Sequence, residues 1–301
     1  MNTLLGFITW NVNPVAFSLG SLEVRWYGIL LATGFVLAYY TLQKIFQKEN
    51  LSQKLLDKFA IWTIVWCIVG LRLGHFLFYE PEFLVKHPLQ VLLPVDENWK
   101  FIGYQGLASH GAAIAIIIWL IYFSWKHKMN FCWLIDRLCI AIPIAAAFVR
   151  LGNLMNHEIV GCASDVAWAF DFTHCSDDYM LLNGKLTHVP TPRHPSQLYE
   201  SLVYLSLYFA LIVYYFKFAK GKIAPGRTAG VMITTIFTAR FFIEFLKADQ
   251  VAKEATMTLN IGQQLSIPLV AIGIGLLIYS FVKKDQIPQY VEPEEKKAEK
   301  K

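Results

Sequence analysis

Seven long apolar stretches mark the chain, roughly Tyr27–Phe46, Phe59–Tyr79, Leu107–Trp125, Phe131–Val149, Tyr199–Phe218, Gly230–Leu246 and Gln264–Val282. About 20 consecutive apolar residues cross a bilayer as a helix. Residues 102–125 and 255–282 contain no Asp, Glu, Lys or Arg. The pattern predicts an all-α polytopic membrane protein of seven transmembrane helices, forming one membrane domain over residues 1–282. The fourth stretch is interrupted by Asp136, Arg137 and Pro143, and the sixth carries Arg240 and Glu244. Asp136 and Arg137 lie near one end of their helix and are expected at the membrane interface. No internal repeat is visible.

Polar positions between the stretches set the orientation. Lys48, Lys54 and Lys58 fill the first connection, with Lys44 at the helix end before it; Lys126 and Lys128 follow the third stretch, and Lys217, Lys220, Lys222 and Arg227 the fifth. The alternate connections are long and mixed or acidic, with Glu80, Glu82, Asp96 and Glu97 in one of them. Cytoplasmic connections carry the excess of Lys and Arg. The N-terminus is therefore expected outside and the C-terminus inside, with an outer loop region at about 150–198. Residues 283–301 read as a charged, disordered cytoplasmic tail. Asn11, Asn13 and Pro14 interrupt the apolar residues at the start, so no cleaved signal peptide is expected.

Composition strengthens the membrane reading. Of 301 residues 55% are hydrophobic and 16% charged, against about 25% charged in soluble domains. A net charge of +5 is too mild to imply nucleic acid. The five cysteines form no zinc spacing, and no metal or nucleotide motif appears, so no cofactor is expected. Cys162 and Cys175 fall on the outer, oxidising side, where they either pair as a disulfide or stay as free thiols.

With this topology the ionisable residues within the spans collect at one depth. Arg72, His75, His110, Arg150, Arg193, His194, Glu200, Arg240 and Glu244 all fall at the outer-leaflet level. Intramembrane ionisable groups are costly and mark function. Several arginines at one level suit a lipid phosphate, which a guanidinium fork binds bidentately. Each has a plainer alternative. Arg193 can snorkel to the interface, and Arg240 and Glu244, spaced i,i+4, can neutralise each other. The densest motif is Arg150-Leu-Gly-Asn153-Leu-Met-Asn156-His-Glu158-Ile-Val-Gly161. If helical, it places Arg150 and Asn153 on one face; if unwound near Gly152, its amides serve a polar cavity.

That motif resembles the signature of bacterial prolipoprotein diacylglyceryl transferases. The likeness extends through Arg25-Trp26-Tyr27-Gly28, Gly70-Leu-Arg72-Leu-Gly74 and Ser109-His110-Gly111. It continues in Arg193-His194-Pro195-Ser196-Gln197-Leu198-Tyr199-Glu200, Arg240-Phe-Phe-Ile-Glu244-Phe245 and Gly262-Gln-Gln-Leu-Ser-Ile-Pro268, in family order. Two positions depart. The glycine-rich run after the histidine reads Gly111-Ala112-Ala113-Ile114-Ala115, and Ile236 stands where the family often has tyrosine. The resemblance says little about residues 162–192.

The resemblance implies transfer of a diacylglyceryl group from phosphatidylglycerol to the lipobox cysteine thiol in a prolipoprotein signal peptide, in a bacterial inner membrane, with glycerol phosphate leaving. Arg150 and Arg240 would clamp the phosphate and stabilise its developing charge. His110 would be the base or an orienting donor. Tyr27, Asn153, Asn156, Glu158 and Gly161 would help to bind phosphatidylglycerol, supported by Arg72, His194, Glu200 and Glu244. Catalysis by the chain's own Cys67, Cys132 or Cys139 is not expected, since all lie within spans and read as small apolar residues. Two other readings compete. A lipid transporter or scramblase should show repeats and a midplane site, and a phosphoryl transferase commonly needs clustered carboxylates to hold a metal.

Overall fold

The computed structural model describes residues 6–20, 22–87, 90, 91, 93, 108–182, 185–248 and 257–293. Three short strands, β1 (Ile8–Trp10), β2 (Val15–Leu19) and β3 (Leu22–Arg25), lead into helix α1 (Trp26–Lys48). Helices α2 (Gln53–Tyr79), α3 (Pro81–Lys86), α4 (Ser109–His127) and α5 (Phe131–Met155) follow. Strands β4 (Phe170–Phe172), β5 (Tyr179–Leu182), β6 (Lys185–His188) and β7 (Pro192–Arg193) come next. The chain ends with α6 (Ser196–Val213), α7 (Arg227–Ile243) and α8 (Ile261–Val282).

Six helices are long and apolar enough to cross a membrane: α1, α2, α5, α6 with its π turn to Phe218, α7 with its 3₁₀ turn to Leu246, and α8. That is the build of a multi-pass membrane protein. The expected third span is α4, whose 19 residues include His110, Lys126 and His127; Leu107, its expected start, lies outside the described residues, as do Asp96 and Glu97. The fold is mostly helical rather than wholly so.

Helix ends differ from the apolar windows where polar chemistry sets them. Helix α2 starts at Gln53 because Ser52 caps it, its hydroxyl accepting from the Leu55 amide. Asn260 and Gln263 form a reciprocal capping box at the start of α8. Helix α5 continues to Met155, so Arg150 and Asn153 are helical and share a face.

The chain forms two compact units. The first holds residues 1–42 and 136–287, the second 43–135 and 288–301. In the first unit β1 pairs parallel with β4, which pairs antiparallel with β7. Leu154, Val160, Phe170, Phe172 and Cys175 form a small core beneath this sheet, with Trp10 and Leu198 packed against it. The Trp10 indole also donates to the Leu154 carbonyl, 3.1 Å, pinning the N-terminal strand to the end of α5. Cys175 is committed to that core, and Cys162 is held by backbone bonds to Leu246 and His194. Both are free thiols, so the disulfide alternative does not hold.

Asp136 and Arg137 are buried in protein. The Asp136 carboxylate accepts from the Gly226 and Ala229 amides, 2.7 and 2.9 Å, and from the Thr228 hydroxyl, 3.0 Å. It thereby satisfies the open N-terminus of α7.

In the second unit α2 and α4 run antiparallel. Gly70 and Gly74 meet Gly111, Ala112 and Ala115 so closely that a Cβ on Gly70, Gly74 or Gly111 would collide with the facing backbone. Small residues allow such helix contact in membranes. The alanines in the departed glycine run are therefore compatible with it. Toward the other end Phe59 packs on Phe123, and the Trp119 indole donates to Thr63, 3.1 Å. The tail, expected to be disordered, packs on this unit as far as it is described. Glu292 is buried and accepts from the Ser52 amide and hydroxyl, 2.8 and 2.6 Å, and Tyr290 lies against Trp133.

Candidate active site

The last turn of α5 opens the site. Arg150 donates to the Asn153 side chain, 3.2 Å, and Asn153 donates to the Glu158 carboxylate, 2.8 Å. Asn156 donates to the same oxygen, 3.3 Å. The Glu158 carboxylate returns to Asn153 because the chain reverses sharply. The Glu158 amide bonds back to the Asn153 carbonyl and the His157 amide to that of Leu154, with His157 at φ 55°. Helices commonly close in this way, with glycine in the left-handed position. Here His157 holds it through its ring, with Nε2 donating to the Val12 carbonyl, 2.8 Å, and Nδ1 facing the His174 amide. Burial pulls the His157 pKa below the usual imidazole value, against the opposing pull of the Val12 carbonyl.

The start of α6 is fastened to this reversal. The Ser196 hydroxyl donates to the Ile159 carbonyl, 2.9 Å, and the Gln197 amide to that of Glu158, 2.7 Å. Gly161 sits between the backbones of His194 and Leu246, with no room for a Cβ. The His194 ring reaches the Tyr199 hydroxyl, 3.1 Å, so His194 positions the loop rather than joining the charged cluster. The Tyr27 ring lies against Gly152, within electrostatic reach of Glu158 and Arg150.

Glu200 organises the charges. Fully buried, it forms a close ion pair with the Arg150 guanidinium and accepts from Lys247, 3.0 Å. Lys247 also bonds Glu244, 3.1 Å. Tyr204, one turn beyond Glu200, is buried within electrostatic reach of Arg150. Arg240 is held differently. Its Nε is 3.5 Å from Glu244 and makes no hydrogen bond among the described residues, and its side chain is 29% exposed. Arg150, Arg240 and Lys247 pair with Glu200 and Glu244, and the Asn153 amide links Arg150 to the exposed Glu158, so three cations balance three carboxylates. Arg150 and Lys247 are tied into that balance, while the Arg240 fork stays open.

Other expected residues make contacts of their own. Arg193 grips the buried Asp178 through Nε and Nη2, so its charge is spent inside the loop region. Arg72 belongs to the second unit, where it donates to the Val91 and Gln90 carbonyls, 2.9 and 3.0 Å, and stacks over Phe76. His110 also belongs to the second unit, half-buried at the start of α4, its ring edge-on to Phe78. Lys247, Tyr204, Ser196 and Gln197 had not been singled out. The signal for Lys247 was present: it continues the Arg240–Glu244 face by a further turn, at a helix end otherwise free of lysine. Nothing marked Tyr204 among the aromatics of its span. Among the described residues, no three His, Cys, Asp or Glu side chains converge as metal ligands.

The family model for prolipoprotein diacylglyceryl transferase matches residues 14–279. The phosphatidylglycerol–prolipoprotein diacylglyceryl transferase of Bacteroides fragilis is 40% identical, over 94% of this chain and 99% of its own. The proteins of the same name from Tolumonas auensis and Porphyromonas gingivalis are each 38% identical, over 91% and 92% of this chain and 98% and 95% of their own. With its Arg150–Glu158 motif, its Glu200–Lys247–Glu244 network and this breadth of similarity, the chain belongs to the prolipoprotein diacylglyceryl transferase family.

Proposed function

We propose that Arg150 and Arg240 hold the phosphate of phosphatidylglycerol while a lipobox cysteine attacks the adjoining glycerol carbon. The chain is a transferase that moves a diacylglyceryl group from phosphatidylglycerol to a prolipoprotein, the first step of lipoprotein maturation. In that step the thiol loses its proton and sulfur forms a C–S bond. The C–O bond to phosphate breaks, and its electron pair leaves on glycerol phosphate. The phosphate gains about one unit of charge in the process, so cations beside it bind the transition state more tightly than the ground state.

The single observation behind this reading is the contrast between the two arginines. Arg150 is immobilised by Glu200 and Asn153, and Arg240 offers an open, partly exposed fork. One supplies a fixed positive field and the other a bidentate grip. Asn153, Asn156 and Glu158 offer polar contacts for the glycerol headgroup, with Tyr27 and Gly161 shaping the space around them. His110 serves as the base for the thiol or as an orienting donor. The chain crosses the inner membrane seven times, with α4 as the further span, the N-terminus outside, and the site toward the outer leaflet.

The test is direct. Purified protein is incubated with headgroup-labelled and acyl-labelled phosphatidylglycerol and a lipobox peptide. Acyl label should join the peptide as headgroup label appears in glycerol phosphate, and a peptide with serine for cysteine should take up none. Peptide that stays unlabelled while lipid moves between leaflets would point instead to a transporter.

A further inference from the structure

The second unit contains a cavity of about 270 Å³ far along α4 from His110. Its walls include Trp62 and Trp66 from α2 and Trp119 and Tyr122 from α4, with Lys58 and Lys126 beside them. It has a packing cause. At one end of the α2–α4 pair, glycine and alanine bring the backbones together. At the other, three indoles hold them apart, with Trp119 centred 6.1 Å from Trp62 and 6.4 Å from Trp66. Close contact at one end and bulk at the other leave a wedge.

We infer that this wedge is a binding site for one anionic phospholipid, in the leaflet opposite the one that holds His110. Three features carry the inference. First, the chemistry is that of a lipid headgroup at an interface: Trp and Tyr are enriched at that level, and basic pockets between transmembrane helices bind anionic headgroups. Second, the charge is one-sided. Lys58 and Lys126 are exposed, and no carboxylate is among the lining residues. Lys126 donates one hydrogen bond to the Tyr122 hydroxyl, 2.9 Å, which steadies its ammonium at the wall. Third, the depth is right. Sixteen residues separate His110 from Lys126 on one helix, about 24 Å at the rise of an α-helix. That is most of the thickness of a hydrocarbon core. The phosphate rests between the two ammonium groups, and an acyl chain follows the indoles toward the bilayer centre.

The test is native mass spectrometry of the full chain, delipidated in neutral detergent and titrated with dioleoyl-phosphatidylserine. This probe is anionic but lacks the glycerol headgroup. Lys58→Gln/Lys126→Gln should retain one lipid fewer than wild type, with apparent affinity for that lipid lowered roughly 10- to 30-fold. Lys58→Arg/Lys126→Arg should keep it. Lys44→Gln/Lys54→Gln, which removes two exposed lysines of the same unit outside the cavity, should also keep it. Unchanged retention in the Lys58/Lys126 glutamine variant overturns the inference. So does equal loss in the Lys44/Lys54 variant, which would mean diffuse attraction rather than a site.

Discussion

Helix α5 carries a buried polar cluster at each end, about 21 Å apart along its axis, and the two are built on opposite terms. At the Asp136 end every partner is supplied: two amides and a hydroxyl meet one carboxylate, and the result caps α7. At the Arg150 end the charges balance but the hydrogen bonds do not close. Arg240 Nε, Asn156 Oδ1, Gln197 Oε1 and Ser201 Oγ are buried without hydrogen-bond partners among the described residues. Glu200 Oε2 is in contact with Arg150 but has no aligned donor. Buried polar atoms are nearly always satisfied, and a set left open in one place calls for a ligand or another specific cause. A closed network supports the fold, and an open one is shaped for something that arrives.

Substitutions at the two ends should therefore separate stability from activity. The largest effect is expected from Arg150→Lys, which keeps the charge but loses the fork. Transfer should fall by 100-fold or more, on the order of a lost oxyanion donor, with the melting temperature nearly unchanged. Asp136→Ala should do the reverse. It strands two buried amides, of Gly226 and Ala229, at about 1–3 kcal/mol each, while the Thr228 hydroxyl keeps the carbonyl of residue 136, so melting temperature and yield should drop while activity per folded molecule stays near wild type. If Asp136→Ala loses activity without losing stability, the distinction between the two ends fails.

A smaller effect is expected at Tyr204, whose buried hydroxyl lies within electrostatic reach of Arg150. Removing one polar contact costs about 0.5–1.5 kcal/mol, so Tyr204→Phe should lose roughly 3- to 10-fold in kcat. Its melting temperature should stay within a few degrees of wild type. An unchanged rate would show that Glu200 and Asn153 position the guanidinium without it.

The smallest effect concerns His157. Its folded pKa lies below the ordinary 6.5 because of burial, so the unfolded chain takes up the proton first as pH falls. The stability this residue contributes is complete above about pH 6.5 and declines below it, toward the folded pKa. His157→Asn keeps a residue tolerant of positive φ and removes the titration. Between pH 7.5 and 5, the wild-type melting temperature should fall more than that of the variant; parallel curves would contradict the assignment.

The sequence made the helices legible because long apolar runs have few alternatives. It made the Arg150 motif legible because charge at a span's end is conspicuous. The β-structure was not legible. Strand β1 has three residues, and its partner β4 lies 162 positions away, a parallel pairing that no local pattern announces. The capping role of Asp136 was not legible, because the helix N-terminus it meets begins 90 positions further along the chain. Tyr204 was missed for a related reason, since an aromatic within an apolar span gives no sign of what its hydroxyl reaches.

The most direct measurement is the dependence of transfer rate on phosphatidylglycerol for Arg240→Lys, beside wild type. If the open fork grips the lipid phosphate, kcat/KM for phosphatidylglycerol falls at least 10-fold, while the KM for the peptide and the melting temperature hold. If Arg240→Lys transfers at the wild-type rate across the whole lipid range, Arg240 only neutralises Glu244, and the phosphate is held elsewhere.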